Sequence, residues 1–467
     1  MLAQHVITRP VFDTLFKGNR FTADNAVSKA MENVLSQIYA HNIESESETL
    51  NKFYTSVRRR AADIISATGR QTLILELYDR FFRNAFPLMT QKLGIVYTPT
   101  EVVEFIIYSV EDMMQQDFSS SLGNNHVHIL DPFSGTGTFI SQLLQSGILS
   151  KDQIKRKFKS EIHANEIVLL AYYIACINIE AVYDDIMKEN QYQTFDGMVL
   201  TDTFQLYEQE KDMIANLLPD NSERRTKQKK REITVIIGNP PYSIGQNSEN
   251  DDAKNTRYIN LESRIEETYS KQSRATLKRG LYDSYVKAIR WASDRLGASG
   301  IIGFVCNSGW LDKNFADGMR LCLQTEFSSI KIVNLRGDIR KNMLSKGIAR
   351  EGENIFGQGS MTGCCIVLFT KKDKSKMNAN KICEIQYINI GDNLTKKQKL
   401  DLLKSSKNFN GLCKILNVEK IIPEDNGDWL NKGDKAFYSY LELGNKRDNT
   451  NAIFSVYSLG IATNRDA

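Results

Sequence analysis

An Asn-Pro-Pro-Tyr tetrapeptide in the middle of the chain is the feature whose residue types most clearly suggest chemistry. Asn239, Pro240, Pro241 and Tyr242 follow the apolar run 235–238. An amide oxygen and a proline carbonyl can accept hydrogen bonds from the exocyclic amine of a nucleobase. They would stabilise the positive charge that develops as the amine attacks a methyl donor. Tyr242 would stack on a base swung out of a duplex. The alternative is a proline-rich turn, and four residues alone do not decide between the two.

The residues before the tetrapeptide predict where it lies in the fold. The run 235–238 is typical of a buried parallel strand. Two consecutive prolines cannot continue a central strand, because neither donates a ladder hydrogen bond. The chain must therefore leave the sheet at Asn239. This places Asn239 and Tyr242 at the carboxyl end of a strand, where open α/β sheets build their sites.

A second candidate site combines a strand, an acidic residue, a loop of small residues and a helix. Residues 127–130 predict the strand, and Asp131-Pro132-Phe133-Ser134-Gly135-Thr136-Gly137-Thr138 follows. The two glycines let the backbone approach a ligand closely. The loop is not a P-loop, and Ile140 stands where a dinucleotide fingerprint has its third glycine. The Asp131 carboxylate would repel phosphate but attract a cationic amino or sulfonium group.

Two further carboxylates and a Thr-Pro step complete the set of candidates. Glu166 ends a predicted second strand, where an acidic residue typically binds ribose hydroxyls. The alternative for Glu166 is a residue near a helix N-terminus. Asp202 follows a short apolar run and is placed to meet an adenine amine. Thr98-Pro99 starts an apolar helix, either as ordinary punctuation or as a helix N-terminus facing a ligand.

The elements around these candidates predict a doubly wound α/β sheet, because strand and helix patterns alternate up to residue 335. Residues 1–90 predict three helices, the first over 26–38. The charged run 222–232 favours a solvated connection over a phosphate contact. Residues 243–280 are polar and loop-like and favour a nucleic-acid-facing loop over disorder. That segment carries Arg257, Arg264, Lys271, Arg274, Lys278 and Arg279.

Composition excludes several classes of protein. The 467 residues are 41% hydrophobic and 25% charged, which is ordinary for a globular protein. No apolar run approaches a membrane span and no signal peptide is visible, so we expect a cytoplasmic protein. The net charge of +4 permits nucleic-acid binding without demonstrating it. Seven cysteines and five histidines show no metal-site spacing, so we expect no structural zinc and no other metal.

The order of these motifs resembles the γ-class N6-adenine DNA methyltransferases over roughly residues 94–370. Within that class the chain looks most like the methyltransferase part of type I single-polypeptide (type ISP) restriction–modification enzymes. The further points of similarity are residues 11–16, 76–82 and 460–467. Those enzymes carry a nuclease and a helicase upstream and a recognition domain downstream, and neither a Walker A motif nor a long basic module is visible here.

The resemblance implies a Rossmann-like class I S-adenosylmethionine-dependent sheet with an N-terminal helical region. By position, Thr98 and Pro99 would contact the methionine end of S-adenosylmethionine. Asp131, Pro132, Gly135 and Gly137 would line the donor loop, Glu166 would hold the ribose and Asp202 the adenine amine. Asn239 and the Pro240 carbonyl would orient the target amine, with Tyr242 on the flipped base. Residues 280–285 and the strand ending at Asn307 would wall the target pocket.

The resemblance also implies a division of the chain and a set of partners. We expect a coupler-like helical region over 1–90, a methyltransferase core over 91–375 and a lysine-rich segment over 376–467 that leads toward a target-recognition domain. Double-stranded DNA is the expected substrate, with helicase, nuclease and recognition domains as partners. Two alternatives stay open. One is a non-catalytic or incomplete subunit that binds DNA or a helicase, and the other is a protein glutamine methyltransferase.

Overall fold

The computed structural model describes most of the chain from residue 98 onward and a short part before it. The described ranges are 24–39, 98–188, 192–208, 217–241, 257–339, 350–357, 362–373 and 382–430, with a few single positions outside them. Within them, helices pack against one nine-stranded sheet.

The helices and strands alternate through the core, as the sequence predicts. The strands are β1 Ile129–Asp131, β2 Ile162–Glu166, β3 Met198–Leu200, β4 Ile233–Gly238, β5 Leu296–Asn307, β6 Ser329–Arg336, β7 Cys364–Lys371, β8 Glu384–Asn389 and β9 Glu419–Ile421. The helices are α1 Ala26–Tyr39, α2 Thr100–Phe118, α3 Thr138–Gln145, α4 Lys151–Ser160, α5 Leu169–Met187, α6 Pro219–Lys230, α7 Ile259–Ile265, α8 Ser284–Arg295, α9 Asp317–Glu326, α10 Lys396–Ser406 and α11 Phe409–Leu412.

The sheet has the strand order β3-β2-β1-β4-β5-β7-β6-β8-β9. Strands β1 to β5 are parallel, and β7 is antiparallel to both of its neighbours. This confirms the predicted α/β, Rossmann-like sheet. Because β1 to β5 are parallel, their carboxyl ends meet at one edge, which we call the carboxyl edge. Strands β8 and β9 extend the same sheet beyond residue 375, the predicted end of the methyltransferase core.

Two apolar layers cover the faces of the sheet. In β4, Val235 and Ile237 point into one layer with α2, α3 and α5. Ile236 points into the other layer, with α7, α8 and α9. The central strands are therefore apolar along their whole length, since both faces are covered. This rigid support fixes the positions at which the strands end.

The first predicted helix is present as α1, and it packs on the core. Asn25 Oδ1 accepts hydrogen bonds from the Val27 and Ser28 amides at 3.1 Å each. The Asn25 side-chain Nδ2 donates to Tyr172 Oη on α5 at 3.4 Å, and His5 Nδ1 lies 2.9 Å from Tyr173 Oη. The other two predicted N-terminal helices lie outside the described residues.

Two charged stretches are more regular than their composition suggests. Most of the predicted solvated connection 222–232 forms α6, where Arg224 pairs with Asp196 at 2.7 Å. The prediction of a loop over 243–280 is wrong for α7, which continues as a π-helix over Glu266–Ser270. Leu261, Ile265 and Tyr269 recur every four residues along it and are buried, which explains why the segment is helical.

Candidate active site

The carboxyl edge brings together most of the residues that the sequence singles out. Asp131 ends β1, Glu166 ends β2, and Asn239 follows directly after β4. Asp202 lies two residues beyond β3. A Cβ atom on Gly238 would lie only 2.9 Å from Asp131 Oδ1, so the carboxylate packs directly against the end of β4. The acidic loop and the Asn-Pro-Pro step are therefore neighbours in space.

Asn239 is held by a threonine that is far away in sequence. Its side-chain Nδ2 donates to Thr98 Oγ1 at 2.9 Å. Its Oδ1 is buried and has no hydrogen-bond partner among the described residues. A buried acceptor without a partner is costly unless a ligand satisfies it. The amide oxygen is thus presented to a donor that is not part of the described protein.

The Thr98-Pro99 step supports this arrangement from the start of α2. Both residues are buried, and the Pro99 carbonyl accepts from the Val103 amide at 3.2 Å. Pro99 is the N-cap of α2 and has no side chain that could cap the helix. The prediction that Thr-Pro starts a helix at the site is confirmed. Its contact with a cofactor stays a prediction.

Asp131 is the most deeply buried of the carboxylates. Its Oδ1 accepts from the Phe133 amide at 3.1 Å, while its Oδ2 is buried with no partner in the described part of the chain. Burial, partly offset by the Phe133 hydrogen bond, raises the pKa of Asp131 to about 8. The site therefore favours a neutral Asp131 until a cationic group is brought close to it.

Glu166 joins the loop after β1 to the end of β2. Its Oε2 accepts from the Gly135 amide at 2.9 Å and its Oε1 from the Val168 amide at 2.7 Å. Burial raises the pKa of Glu166 to about 7. Gly135 has φ +54° and its missing side chain would point into open space, so the loop leaves room beside Glu166. Each carboxylate oxygen keeps a second lone pair with which it could accept a ligand hydroxyl.

Asp202 already has two hydrogen-bond donors from the protein. The Phe204 amide donates to Oδ1 at 2.9 Å, and Tyr258 Oη donates to Oδ2 at 2.7 Å. Burial raises the pKa of Asp202, and the Tyr258 hydrogen bond lowers it. Tyr258 also meets the Phe204 ring edge-on, with ring centroids 5.2 Å apart. A ligand amine at Asp202 would therefore share the carboxylate with Tyr258 or displace it.

Sequence patterns did not reveal the polar residues beneath the loop 131–137. Thr203 Oγ1 donates to the Pro132 carbonyl at 2.5 Å, and Asn165 Nδ2 donates to Thr203 Oγ1 at 3.3 Å. The Ser134 amide donates to the Asn165 carbonyl at 2.9 Å. These bonds tie the ends of β1, β2 and β3 together. The signal for Thr203 was its place beside Asp202, whereas Asn165 looked like an ordinary strand residue.

The remaining predicted residues lie around this group. Pro240 is buried and Pro241 is partly exposed, directly after Asn239. Asn307 ends β5, and its Oδ1 accepts from the Gly309 amide at 2.7 Å. Gly137 has φ +79° and lies against α5 at the start of α3. Tyr242 lies outside the described residues.

Across the described part of the chain, no cluster of three or more His, Cys, Asp or Glu side chains has the arrangement of a metal site. His128 Nδ1 lies 3.0 Å from His163 Nε2, and both side chains are buried. None of the described helices combines the length and the apolar character that a membrane crossing requires.

Two family models match separate parts of the sequence. Residues 1–69 match the coupler domain of type ISP restriction–modification enzymes. Residues 122–340 match the Eco57I restriction–modification methylase family. No curated protein sequence matches the chain.

Solved structures agree with both family models. The structure described as the ATP-dependent type ISP restriction–modification enzyme LlaBIII bound to DNA is 44% identical, with a TM-score of 0.89 over 97% of this chain. Over nearly its whole length the chain is thus similar to part of a type ISP restriction–modification enzyme. A nuclease-deletion mutant of the type ISP enzyme LlaGI with a DNA substrate mimic is also 44% identical, with a TM-score of 0.87 over 97% of this chain. A DrdV–DNA complex is 31% identical, with a TM-score of 0.86 over 100% of this chain.

The chain spans only part of each matched protein, namely 30% of LlaBIII, 36% of LlaGI and 45% of DrdV. The predicted resemblance to the methyltransferase part of type ISP enzymes and the class I methyltransferase fold are confirmed. Asp131, Glu166, Asp202 and Asn239 all lie within the methylase match, and Thr98 precedes it. The predicted domain boundaries at residues 90 and 375 stay predictions. Of the segments that support the resemblance, 11–16, 76–82 and 460–467 lie outside the described residues.

Proposed function

We propose that this chain transfers a methyl group from S-adenosylmethionine to the N6 amine of adenine in double-stranded DNA, as the modification part of a restriction–modification enzyme. The observation that carries the proposal is the state of Asn239. Its Nδ2 is tied to Thr98, while its buried Oδ1 has no partner. A neutral acceptor fixed in this way suits an amine that becomes positively charged.

The residues around Asn239 fit S-adenosylmethionine. When bound, it would supply an electrophilic methyl group. Asp131 offers an unpartnered carboxylate oxygen for a cationic group, and Gly135 leaves open space beside Glu166. The walls of the donor site would be completed by Thr98, Pro99, Pro132 and Gly137. Asp202 would face the adenine amine of S-adenosylmethionine. No phosphate-binding loop competes with this interpretation.

Asn239 Oδ1 and the Pro240 carbonyl would accept hydrogen bonds from the two hydrogens of the target amine. Both acceptors favour positive charge on the nitrogen, so the site needs no general base. Tyr242 would stack on the flipped adenine. Double-stranded DNA is the proposed substrate, and helicase, nuclease and target-recognition domains are the proposed partners. The DNA complexes of the similar type ISP enzymes support this.

The test begins with calorimetric titration of S-adenosylmethionine into the purified chain, followed by mixed-sequence duplex DNA and an assay for N6-methyladenine. Asn239→Ala should abolish methyl transfer and leave donor affinity nearly unchanged, because Asn239 faces the target amine. Asp131→Ala is the matched control and should weaken donor binding. Loss of donor binding in Asn239→Ala would count against the assignment.

The same assay distinguishes the two alternatives. Donor binding without DNA methylation, even when target-recognition and helicase partners are added in trans, would favour an incomplete or non-catalytic subunit. Methylation of glutamine in a peptide rather than adenine in DNA would favour a protein methyltransferase. Absence of donor binding would overturn the assignment of Asp131 and of every cofactor residue downstream of it.

A further inference from the structure

The residues that follow α7 form an exposed basic segment with one protruding apolar side chain. We call residues 271–279 the basic ridge. Lys271, Arg274 and Arg279 are exposed, and no ion pair involving them is found among the described residues. Leu277 is 84% exposed, more than any other large apolar side chain in the described ranges.

The basic ridge is fixed to the body of the protein. The Arg274 amide donates to Asp317 Oδ2 at 2.7 Å, at the first residue of α9. Lys278 Nζ donates to the Ser270 and Ser273 carbonyls at 2.5 and 2.9 Å. A Cβ atom on Gly280 would lie 2.9 Å from the Phe315 ring, so the end of the ridge is pressed against the segment after β5. Leu277 is therefore held out from a rigid support.

The ridge lies at the same edge of the sheet as Asn239. Helices α8 and α9 run antiparallel to β5 and β6, which follow them, so their first residues lie at the carboxyl edge. The ridge precedes α8 directly and binds the first residue of α9. Strand β5 neighbours β4, and its end at Asn307 leads to Phe315, which touches Gly280. The ridge thus stands beside the proposed target site.

From this arrangement we infer that the basic ridge binds duplex DNA and that Leu277 enters the base stack next to the proposed target site. The inference rests on the proposed function. Arg274, Arg279 and Lys271 would contact phosphates, which supply most of the affinity. An apolar side chain inserted between base steps unstacks them, and unstacking lowers the cost of swinging a base out of the duplex.

The test uses the full chain and a short mixed-sequence duplex that carries the fluorescent base 2-aminopurine at several adenine positions. Binding of the unmodified chain should raise 2-aminopurine emission, because insertion unstacks the bases. Leu277→Ala should weaken binding about tenfold, remove most of the emission rise and leave the salt dependence unchanged. Arg274→Ala should instead lower the slope of log K against log salt by about 0.9.

Ile382→Ala is the matched control. Ile382 is 83% exposed but lies just before β8, at the opposite edge of the sheet, so its loss should change neither affinity nor emission. Leu277→Ala is a surface substitution and should retain the unmodified chain's melting temperature and donor affinity. If Leu277→Ala and Ile382→Ala behave alike, or if the unmodified chain does not bind the duplex, the inference is wrong. Donor titration reports separately on the proposed methyltransferase function.

Discussion

Asp131 gives the most direct quantitative test of the proposed donor site, because its ionisation should be coupled to binding. Burial raises the pKa of Asp131 to about 8 in the protein without ligand. At neutral pH the carboxyl group is therefore mostly protonated. A cationic amino or sulfonium group placed beside it would favour the carboxylate. Binding of S-adenosylmethionine should then release close to one proton per site.

The size of the effect follows from the pKa. If the donor binds only the ionised form of Asp131, the apparent Kd is proportional to 1 + 10^(pKa − pH), where the pKa is that of Asp131. Between pH 7.5 and pH 6 this is a weakening of about twentyfold. The range stops at pH 7.5 because α-amino groups, including that of the donor, lose their proton near pH 8.

Calorimetry can measure both quantities. Titrations at pH 6 and pH 7.5 give the change in Kd, and titrations in buffers of different ionisation enthalpy give the number of protons released. Asp131→Asn should bind the donor weakly, with a Kd that depends on pH much less over this range, because only Glu166, whose pKa is about 7, still titrates there. A pH-independent Kd in the unmodified chain, or an Asn variant that keeps full pH dependence, would refute the coupling to Asp131.

The same ionisation predicts an opposite effect on stability. The pKa of Asp131 is higher in the folded chain than the usual value near 3.8, so the folded state holds the proton more tightly. Stability of the ligand-free protein should therefore fall as pH rises from about 4 to about 8, where the buried carboxyl group ionises. Asp131→Asn should raise the melting temperature at pH 7.5 because it removes this cost, which is on the order of a few kcal/mol. A variant that binds the donor less tightly yet melts higher would be the expected signature.

Three further substitutions test other parts of the site. Thr98→Val removes the partner of Asn239 Nδ2 and should slow single-turnover methylation about tenfold. Thr98→Ser keeps the hydroxyl group and should methylate at a rate close to that of the unmodified chain. Equal rates for the Val and Ser variants would contradict the positioning role of Thr98. Glu166→Gln places a side-chain NH₂ group against a backbone N–H, where the carboxylate had an accepting oxygen. Thermal unfolding should therefore show a free energy of unfolding lower by about 1–3 kcal/mol, and S-adenosylmethionine should bind more weakly. Gly137→Ala should lower the melting temperature, because its φ is +79° and its Cβ would lie 3.1 Å from the α5 backbone. Gly135→Ala should lower it less, because its Cβ points into open space and only the strain of φ +54° opposes it, and it should also weaken donor binding in calorimetry.

The sequence predicted the places of Asp131, Glu166 and Asn239 at strand ends better than it predicted the segments around them, and the reason lies in local patterns. Each of the three ends or directly follows a short predicted strand, and the ends of parallel strands meet at one edge whatever their separation in the chain. The order of these strand ends was therefore enough to bring the three side chains together. The antiparallel insertion of β7 between β5 and β6 could not be predicted in this way, because alternation of elements does not give strand order.

The prediction of a loop over residues 259–270 was wrong because it rested on composition. The charged residues made the segment look like a loop, and Arg264 seemed free to contact phosphate. In the structure Arg264 pairs with Asp294 at 3.2 Å, and the helix buries Leu261, Ile265 and Tyr269. The four-residue spacing of these three side chains was present in the sequence. It carried more information than the charges, since the apolar positions decide which face is buried.

Asp202 shows what could not be predicted from the sequence at all. The expectation of a free carboxylate for an adenine amine rested on its position after β3. In the structure Tyr258 donates to Asp202 Oδ2, and Lys287 Nζ lies 5.2 Å from the centre of the Tyr258 ring. Tyr258 follows the Asn-Pro-Pro-Tyr motif by 16 residues in the chain but returns to the donor side of the site. The proposed donor site is therefore completed by a side chain that belongs to none of the motifs, because only the folded chain brings Tyr258 to Asp202.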